Sequence, residues 1–350
     1  MKSQQKLVLV ILFLLFGGIC LYTGSKLPSW FTTQLHSPFV KSETPDPRLL
    51  DAYTIPALRE TAITASPITL GAVLTAPQTL KTNLFYFSPL HKKMSGQIIF
   101  PEVITADTPV IVLVRGYVPH EIFESGIGTR PAATVFAQNG YITIAPDFFG
   151  YGESDPEPED TWQARFEKPL IVLELIQSIS EYGIPVDAAG TLHKTDRVGI
   201  WAHSNGGQIA LSALTTTKKQ IPTTLWAPVT APFPYSILFF SDEDADEGHA
   251  ARLWVNQLEK KYDVRKFSFT NYLEWLQGPL QIHHGDADEA ALKTWSDEFV
   301  QKIQKQNKGR ENPVDVTYYT YPGADHNVTP KQNWNTAITR DLQFFEKNIK

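Results

Sequence analysis

The sequence predicts an α/β fold, a mainly parallel central sheet with helices on both faces. Three observations carry that expectation. Short apolar runs, PVIVLV at 109–114, YITIAPD at 141–147 and RVGIWA at 197–202, alternate with stretches of helical length, the pattern of βαβ crossovers. The chain has 350 residues, 42% of them hydrophobic, enough for one such domain with a sizeable core and insertions but not for two large ones. In VGIWAHSNGGQIALSAL, at 198–214, a buried strand turns sharply into a helix around a single serine, Ser204.

From the amino end, Lys2 and Lys6 precede the uncharged run LVLVILFLLFGGICLY at 7–22. A positive start before an apolar run is a secretory signal or a signal anchor. This run is apolar on all faces, which a soluble surface helix is not. No small-x-small cleavage site follows it, so residues 1–24 are expected to be a retained anchor with its amino end in the cytoplasm and the rest of the chain exported. Cleavage and secretion is the alternative. Cys20 is the only cysteine, which rules out an intrachain disulfide, and Ile19 before it speaks against lipidation. Residues 25–54 are rich in Pro, Ser and Thr and lack periodicity, so they read as a flexible tether. Order is expected from IPALRET at 55–61, and the main domain from 55 to 350.

LFYFS at 84–88 and GQIIFP at 96–101 predict an antiparallel edge to the sheet. A helix fits near 132–139 and a long one within 161–182, and TTLWAP at 223–228, PLQIHH at 279–284 and VDVTYYTY at 314–321 supply later strands. Residues 228–277, between two of these, form an insertion long enough to cap a site. Its aromatics, Phe233, Tyr235, Phe239 and Phe240, either line an acyl or P1 pocket or pack the cap on the core. The acidic run SDEDADEGH at 241–249 begins like a calcium loop but lacks the bidentate Glu, so it reads as a solvated loop. GYGESD at 150–155 reads as a structural turn and not as a phosphate loop. A net charge of −6 without a basic patch excludes nucleic acid as a partner. No Cys/His cluster has zinc spacing, and no cofactor is expected.

The chemistry centres on Ser204. An Oγ on a sharp strand-to-helix turn projects above the sheet edge, and the amides that follow can cradle an oxyanion. The turn needs small neighbours, here Ala202, Gly206 and Gly207. Alone, such a serine would be an ordinary helix cap. A hydroxyl at its own pKa is barely nucleophilic, so catalysis also needs a base and an orienting acid. Both follow in chain order: Asp288 in GDADE after one strand, and His326 in YPGADH after the last. Asp286, Glu289 and Asp325 compete for the acid role. Asp286 lies closer to the strand end, and Asp325 adjoins the histidine, from where it would struggle to reach round to Nδ1. Asp288 is the choice.

Taken together, IPALRE, VLVRGYVP, APDFFGYGESD, GIWAHSNGG, GPLQIHHGDADE and TYPGADHN span the chain from about Ile55 to its end. In order and spacing the chain resembles the stand-alone prolyl oligopeptidase-like branch of the α/β-hydrolases, in which the catalytic domain occurs without a β-propeller. The resemblance implies Ser204 as nucleophile, Asp288 as orienting acid and His326 as base. It places the oxyanion donors at the backbone N–H groups of Tyr117 and Asn205. Arg115 departs from the family's usual His before Gly, and is read as a structural salt bridge or a binder of a substrate carboxylate. Without a propeller, nothing sieves substrates by size. The expected function is a serine peptidase cleaving short peptides through an acyl-enzyme. An esterase or lipase on exported substrates, and an anchored binding protein without turnover, are the alternatives.

Overall fold

The computed structural model describes residues 48–350, apart from 75–79, 188, 243 and 244. The expected anchor, and the tether up to residue 47, lie outside the described residues. Among the described residues, no helix is long and apolar enough to cross a membrane.

Nine strands form one sheet: β1 Thr69–Val73, β2 Thr82–Phe87, β3 Met94–Ile99, β4 Val110–Val114, β5 Ile142–Pro146, β8 Val198–His203, β9 Thr223–Trp226, β10 Leu280–Gly285 and β11 Val316–Tyr321. The small pair β6 Ile184–Pro185 and β7 Leu192–His193 stands apart from it. The spatial order is β1-β2-β3-β5-β4-β8-β9-β10-β11. β1, β2, β3 and β5 pair antiparallel in turn, and every pairing from β5 across to β11 is parallel. After β4 the chain goes to β5 on one side, then crosses to β8 on the other. In open α/β sheets such a reversal opens a crevice at the strands' carboxyl ends, where ligands bind.

Eight of the helices cover the parallel part or the site: α2 Arg130–Gln138, α3 Thr161–Phe166, α4 Lys168–Glu181, α5 Asn205–Thr216, α6 Tyr235–Ser241, α7 His249–Glu259, α8 Lys293–Asn307 and α9 Lys331–Ile349; α1, Ile55–Glu60, packs against α5. The sequence of β4 shows how the two faces are filled. Val110, Val112 and Val114 join a core with Ile171 and Leu175 of α4, Leu211 of α5 and Phe299 of α8. Ile111 and Leu113 point the other way, towards Phe136 of α2 and Phe345 of α9. A strand buried on both faces needs an unbroken apolar run, which is what PVIVLV supplies.

Two expectations need correction, and one strand was not foreseen. The long helix expected within 161–182 is two. Asp160 caps α3 through the Trp162 and Gln163 amides, at 2.8 and 3.1 Å, and Pro169 then opens α4 in its first turn, where a missing N–H costs nothing. The tether does not extend to residue 54: Leu49–Tyr53 is a 3₁₀ helix, and Leu50 is buried with Trp162, Phe166 and Phe233. β1 was not anticipated, because its TLGAV is short and mostly accessible and its pairing with β2 is irregular.

Candidate active site

The Ser204 turn sits at the carboxyl end of β8, beside the crevice between β4 and β8. Its backbone adopts φ 57° and ψ −125°, a region that a side chain with a Cβ enters only when surrounding structure holds it there. Here it is held on both sides. Ser204 N–H donates to Trp226 O at 3.0 Å, and Ser204 O accepts from Val229 N–H at 3.0 Å and Gly207 N–H at 2.9 Å. Gly206 has to be glycine: a Cβ there would stand 2.1 Å from Val114 O and 2.5 Å from Arg115 O. Gly116 lies so close that a Cβ on it would meet Ser204 Cβ at 2.8 Å and Oγ at 3.3 Å. The strand-turn after β4 therefore packs directly on the serine. Neither the Tyr117 nor the Asn205 amide has an acceptor among the described residues, so both remain available to an incoming oxygen.

His326 and Asp288 come from the loops after β11 and β10, adjacent parallel strands. His326 Nδ1 lies 2.9 Å from Asp288 Oδ2. Of the four acids considered, Asp288 is the one bonded to the histidine. Asp286 is exposed and accepts from Gly323 N–H at 2.6 Å, Glu289 is exposed, and Asp325 closes its own turn on Thr329 and Asn327. Burial alone would push the Asp288 carboxyl up. Hydrogen bonds from His284, His326 and the Ala291 amide outweigh that and hold it well below the usual carboxylate range. The carboxylate is thus ionised and can stabilise a cation forming on His326.

Two further histidines support this pair, and sequence reasoning missed both. His284 Nε2 lies 3.2 Å from Asp288 Oδ2 and 2.8 Å from Ala291 O, while its Nδ1 lies 2.8 Å from Ser296 Oγ. His203 Nε2 lies 2.9 Å from the His326 carbonyl, with the two rings 4.7 Å apart. Burial and the neighbouring His326 lower the His203 pKa to about 4, so it stays neutral and its Nε2–H donates to that carbonyl. The signal was in the sequence. His203 immediately precedes the serine, and His284 ends the strand segment PLQIHH.

Arg115 is neither of the things expected of it. It is buried, and its bonds go to carbonyls: Nη1 to Gly116 O at 3.0 Å and Nη2 to Asp147 O at 2.9 Å. Its guanidinium lies 4.2 Å from the centroid of Tyr151, whose hydroxyl donates to Val118 O at 3.0 Å. Together Arg115 and Tyr151 fix the turn that carries Tyr117. GYGESD packs as a turn against Ser95 and Asp147, with the Glu153 amide donating to Ser95 Oγ at 2.8 Å. The cap aromatics divide. Phe233 is in the core shared with Trp162 and Phe166, whereas Tyr235, Phe239 and Phe240 gather around Trp295. In the acidic run, Asp246 accepts from the Gly248 and Ala250 amides at the start of α7, and Asp242 pairs with Arg252 at 2.8 Å.

A mostly parallel sheet with an antiparallel edge, a strained serine turn on a middle strand and an Asp–His pair from the last two loops define the α/β-hydrolase fold. The model of the Prolyl oligopeptidase family matches residues 129–350, more than half of the chain. The chain belongs to that family. No curated protein matches closely enough to count as a relative. Among solved structures, a puromycin-hydrolyzing peptidase of Mycobacterium tuberculosis superposes with a TM-score of 0.55 at 16% identity, over 81% of this chain and 39% of that one. The acylaminoacyl peptidase of Pyrococcus horikoshii does so at 0.56 and 18%, over 78% and 42%. Acetyl Xylan Esterase 1 from Thermoanaerobacterium sp. JW/SL YS485 gives 0.58 and 15%, over 86% and 94%. The chain thus spans well under half the length of these two peptidases and nearly the whole of the esterase. At these identities the likeness is one of fold.

Proposed function

We propose that the chain hydrolyses acyl bonds of short peptides through an acyl-enzyme, with Ser204 as nucleophile, His326 as general base and Asp288 as orienting acid. His326 takes the Ser204 proton as Oγ attacks the carbonyl, and the Tyr117 and Asn205 amides donate to the oxyanion. One such donor is worth roughly 3 kcal/mol of barrier. The tetrahedral intermediate collapses as His326 gives its proton to the leaving amine. Water, deprotonated by the same histidine, then attacks the acyl-enzyme, releasing the acid and restoring Ser204. The observation that carries this reading is the 2.9 Å bond between His326 Nδ1 and a buried, ionised Asp288, on the loops after β11 and β10 at the same end of the parallel sheet as the serine.

Peptides are favoured over esters by membership of a peptidase family. The second reading, an ester hydrolase, is favoured by the likeness to an esterase matched over 94% of its length. Purified protein assayed against peptides and esters sharing one acyl group decides between them. Peptide turnover that depends on Ser204 is the expected result, and turnover of esters alone would replace the first reading by the second.

We also propose that residues 1–24 hold the chain in a membrane with the catalytic domain on the far side from the cytoplasm. The support is the sequence of Lys2, Lys6 and the apolar run at 7–22.

A further inference from the structure

A cavity of about 250 Å³ opens beside Asn205, the residue after the nucleophile. Phe233, Ile237, Trp254 and Phe269 give it apolar walls, but it also contains two cations, Arg165 and Lys168. Lys168 has a counter-charge in Glu157, 3.5 Å away on the same wall. Arg165 has none. Among the described residues its guanidinium bonds to Gln208 Oε1, and no carboxylate lies within ion-pairing distance. Burial lowers its pKa to about 10, which leaves it protonated at neutral pH.

The contact with Gln208 is itself arranged. Gln208 Nε2 donates to Ser236 Oγ at 3.1 Å and approaches Ala231 O at 3.5 Å, which turns Oε1 towards Arg165. Gln208 lies four residues beyond Ser204 on α5, so the backbone of the residue that holds the arginine stands one helical turn, roughly 6 Å, along the axis from that of the nucleophile. A guanidinium has five N–H donors in a planar fork that matches a carboxylate edge on. Arg115, the arginine that the sequence pointed to, spends both terminal nitrogens on carbonyls and stacks on Tyr151; among the described residues Arg165 makes one hydrogen bond, from Nη2 to Gln208.

We propose that Arg165 is an anion subsite for a carboxylate of the substrate, so that the preferred substrates are short acyl compounds with a free carboxylate close to the scissile bond. The subsite rests on Ser204 being the nucleophile. It holds for either kind of acyl bond. The carboxylate could belong to a peptide or to the half-ester of a dicarboxylic acid, and the recognition chemistry is the same.

Two substrate pairs test it on the full-length chain. One is a blocked dipeptide with a free C-terminal carboxylate against its C-terminal amide. The other is the p-nitrophenyl half-ester of glutaric acid against p-nitrophenyl valerate. The readout is the ratio of kcat/KM within each pair, which cancels any general loss of activity. In at least one pair, the wild type should favour the carboxylate by about tenfold or more, mainly through KM. Arg165→Met should bring that ratio close to unity, and Arg165→Lys should leave it in between. A wild-type ratio of one or less in both pairs, or an undiminished ratio in Arg165→Met, overturns the subsite. If Arg165→Met does not fold, the wild-type and Arg165→Lys ratios decide: an undiminished ratio in the lysine variant also overturns it. If only the ester pair turns over, the peptide reading falls while the ester ratio still decides Arg165.

Discussion

Ser204, Asp288 and His326 each sit where a strand of the parallel sheet ends, yet the work of holding them falls to residues with no reactive role. Asp288 carries most of the argument at this scale. It is buried, ionised, and bonded at once to His326, His284 and two amides. Asp288→Asn should therefore lower kcat by on the order of 10⁴, since His326 loses both its fixed tautomer and the charge opposite its cation. Asp286→Asn, on an exposed loop residue bonded to the Gly323 amide, should cost less than about tenfold. Steady-state kinetics of the two variants check this, and the reverse ranking would move the acid by two positions. Ser204, Asp288 and His326 could be picked from the sequence because each stands at a fixed offset from a strand end. His203 and His284 were missed although both stand beside these motifs: His284 lies four residues before Asp288, whereas His203 meets His326 only because the fold brings the ends of β8 and β11 together.

Among the elements, those buried on both sides were the most legible. β4 and β8 announce themselves as apolar runs, β10 is buried throughout despite Gln281, His283 and His284, and α5 is buried along nearly its whole length. The break between α3 and α4 was less so, because the apolar residues continue across it and Pro169 alone marks it. Glu167, at that break, is buried, and burial pushes its pKa up from 4.5 to about 7. Below pH 4.5 the acid is protonated whether the chain is folded or not. Between 4.5 and 7 the folded state holds the proton and the unfolded state does not, so stability falls as pH rises through that window. Glu167→Gln removes the penalty. It should leave stability near wild type at pH 4 and raise it by about 1–2 kcal/mol at pH 8, after allowing for partial solvation. Denaturant melts at the two pH values measure this, and a variant less stable at pH 8 would contradict it.

For the whole molecule, the sheet order matters more than any element within it. The reversal between β4 and β8 opens the crevice at which the Tyr117 turn, the serine and the Asp–His loops converge. Composition misplaced the edge of the domain, because a Pro- and Thr-rich segment conceals one well-packed leucine. Leu50→Ala should cost about 2–4 kcal/mol in a melt, whereas the same change in a true tether would cost nothing. Topology can be tested by fusing alkaline phosphatase, active only after export, to the C-terminus. An active fusion is expected, and an inactive but stable one would place the domain inside the cell. The central claim is that one serine, held at positive φ on the β8–α5 turn, performs the chemistry. Labelling with a fluorophosphonate followed by mass-spectrometric mapping of the adduct tests it directly. The adduct should fall on Ser204, with labelling lost in both Ser204→Ala and His326→Ala. An adduct on any other serine, or labelling that persists at the wild-type rate in Ser204→Ala, would contradict it.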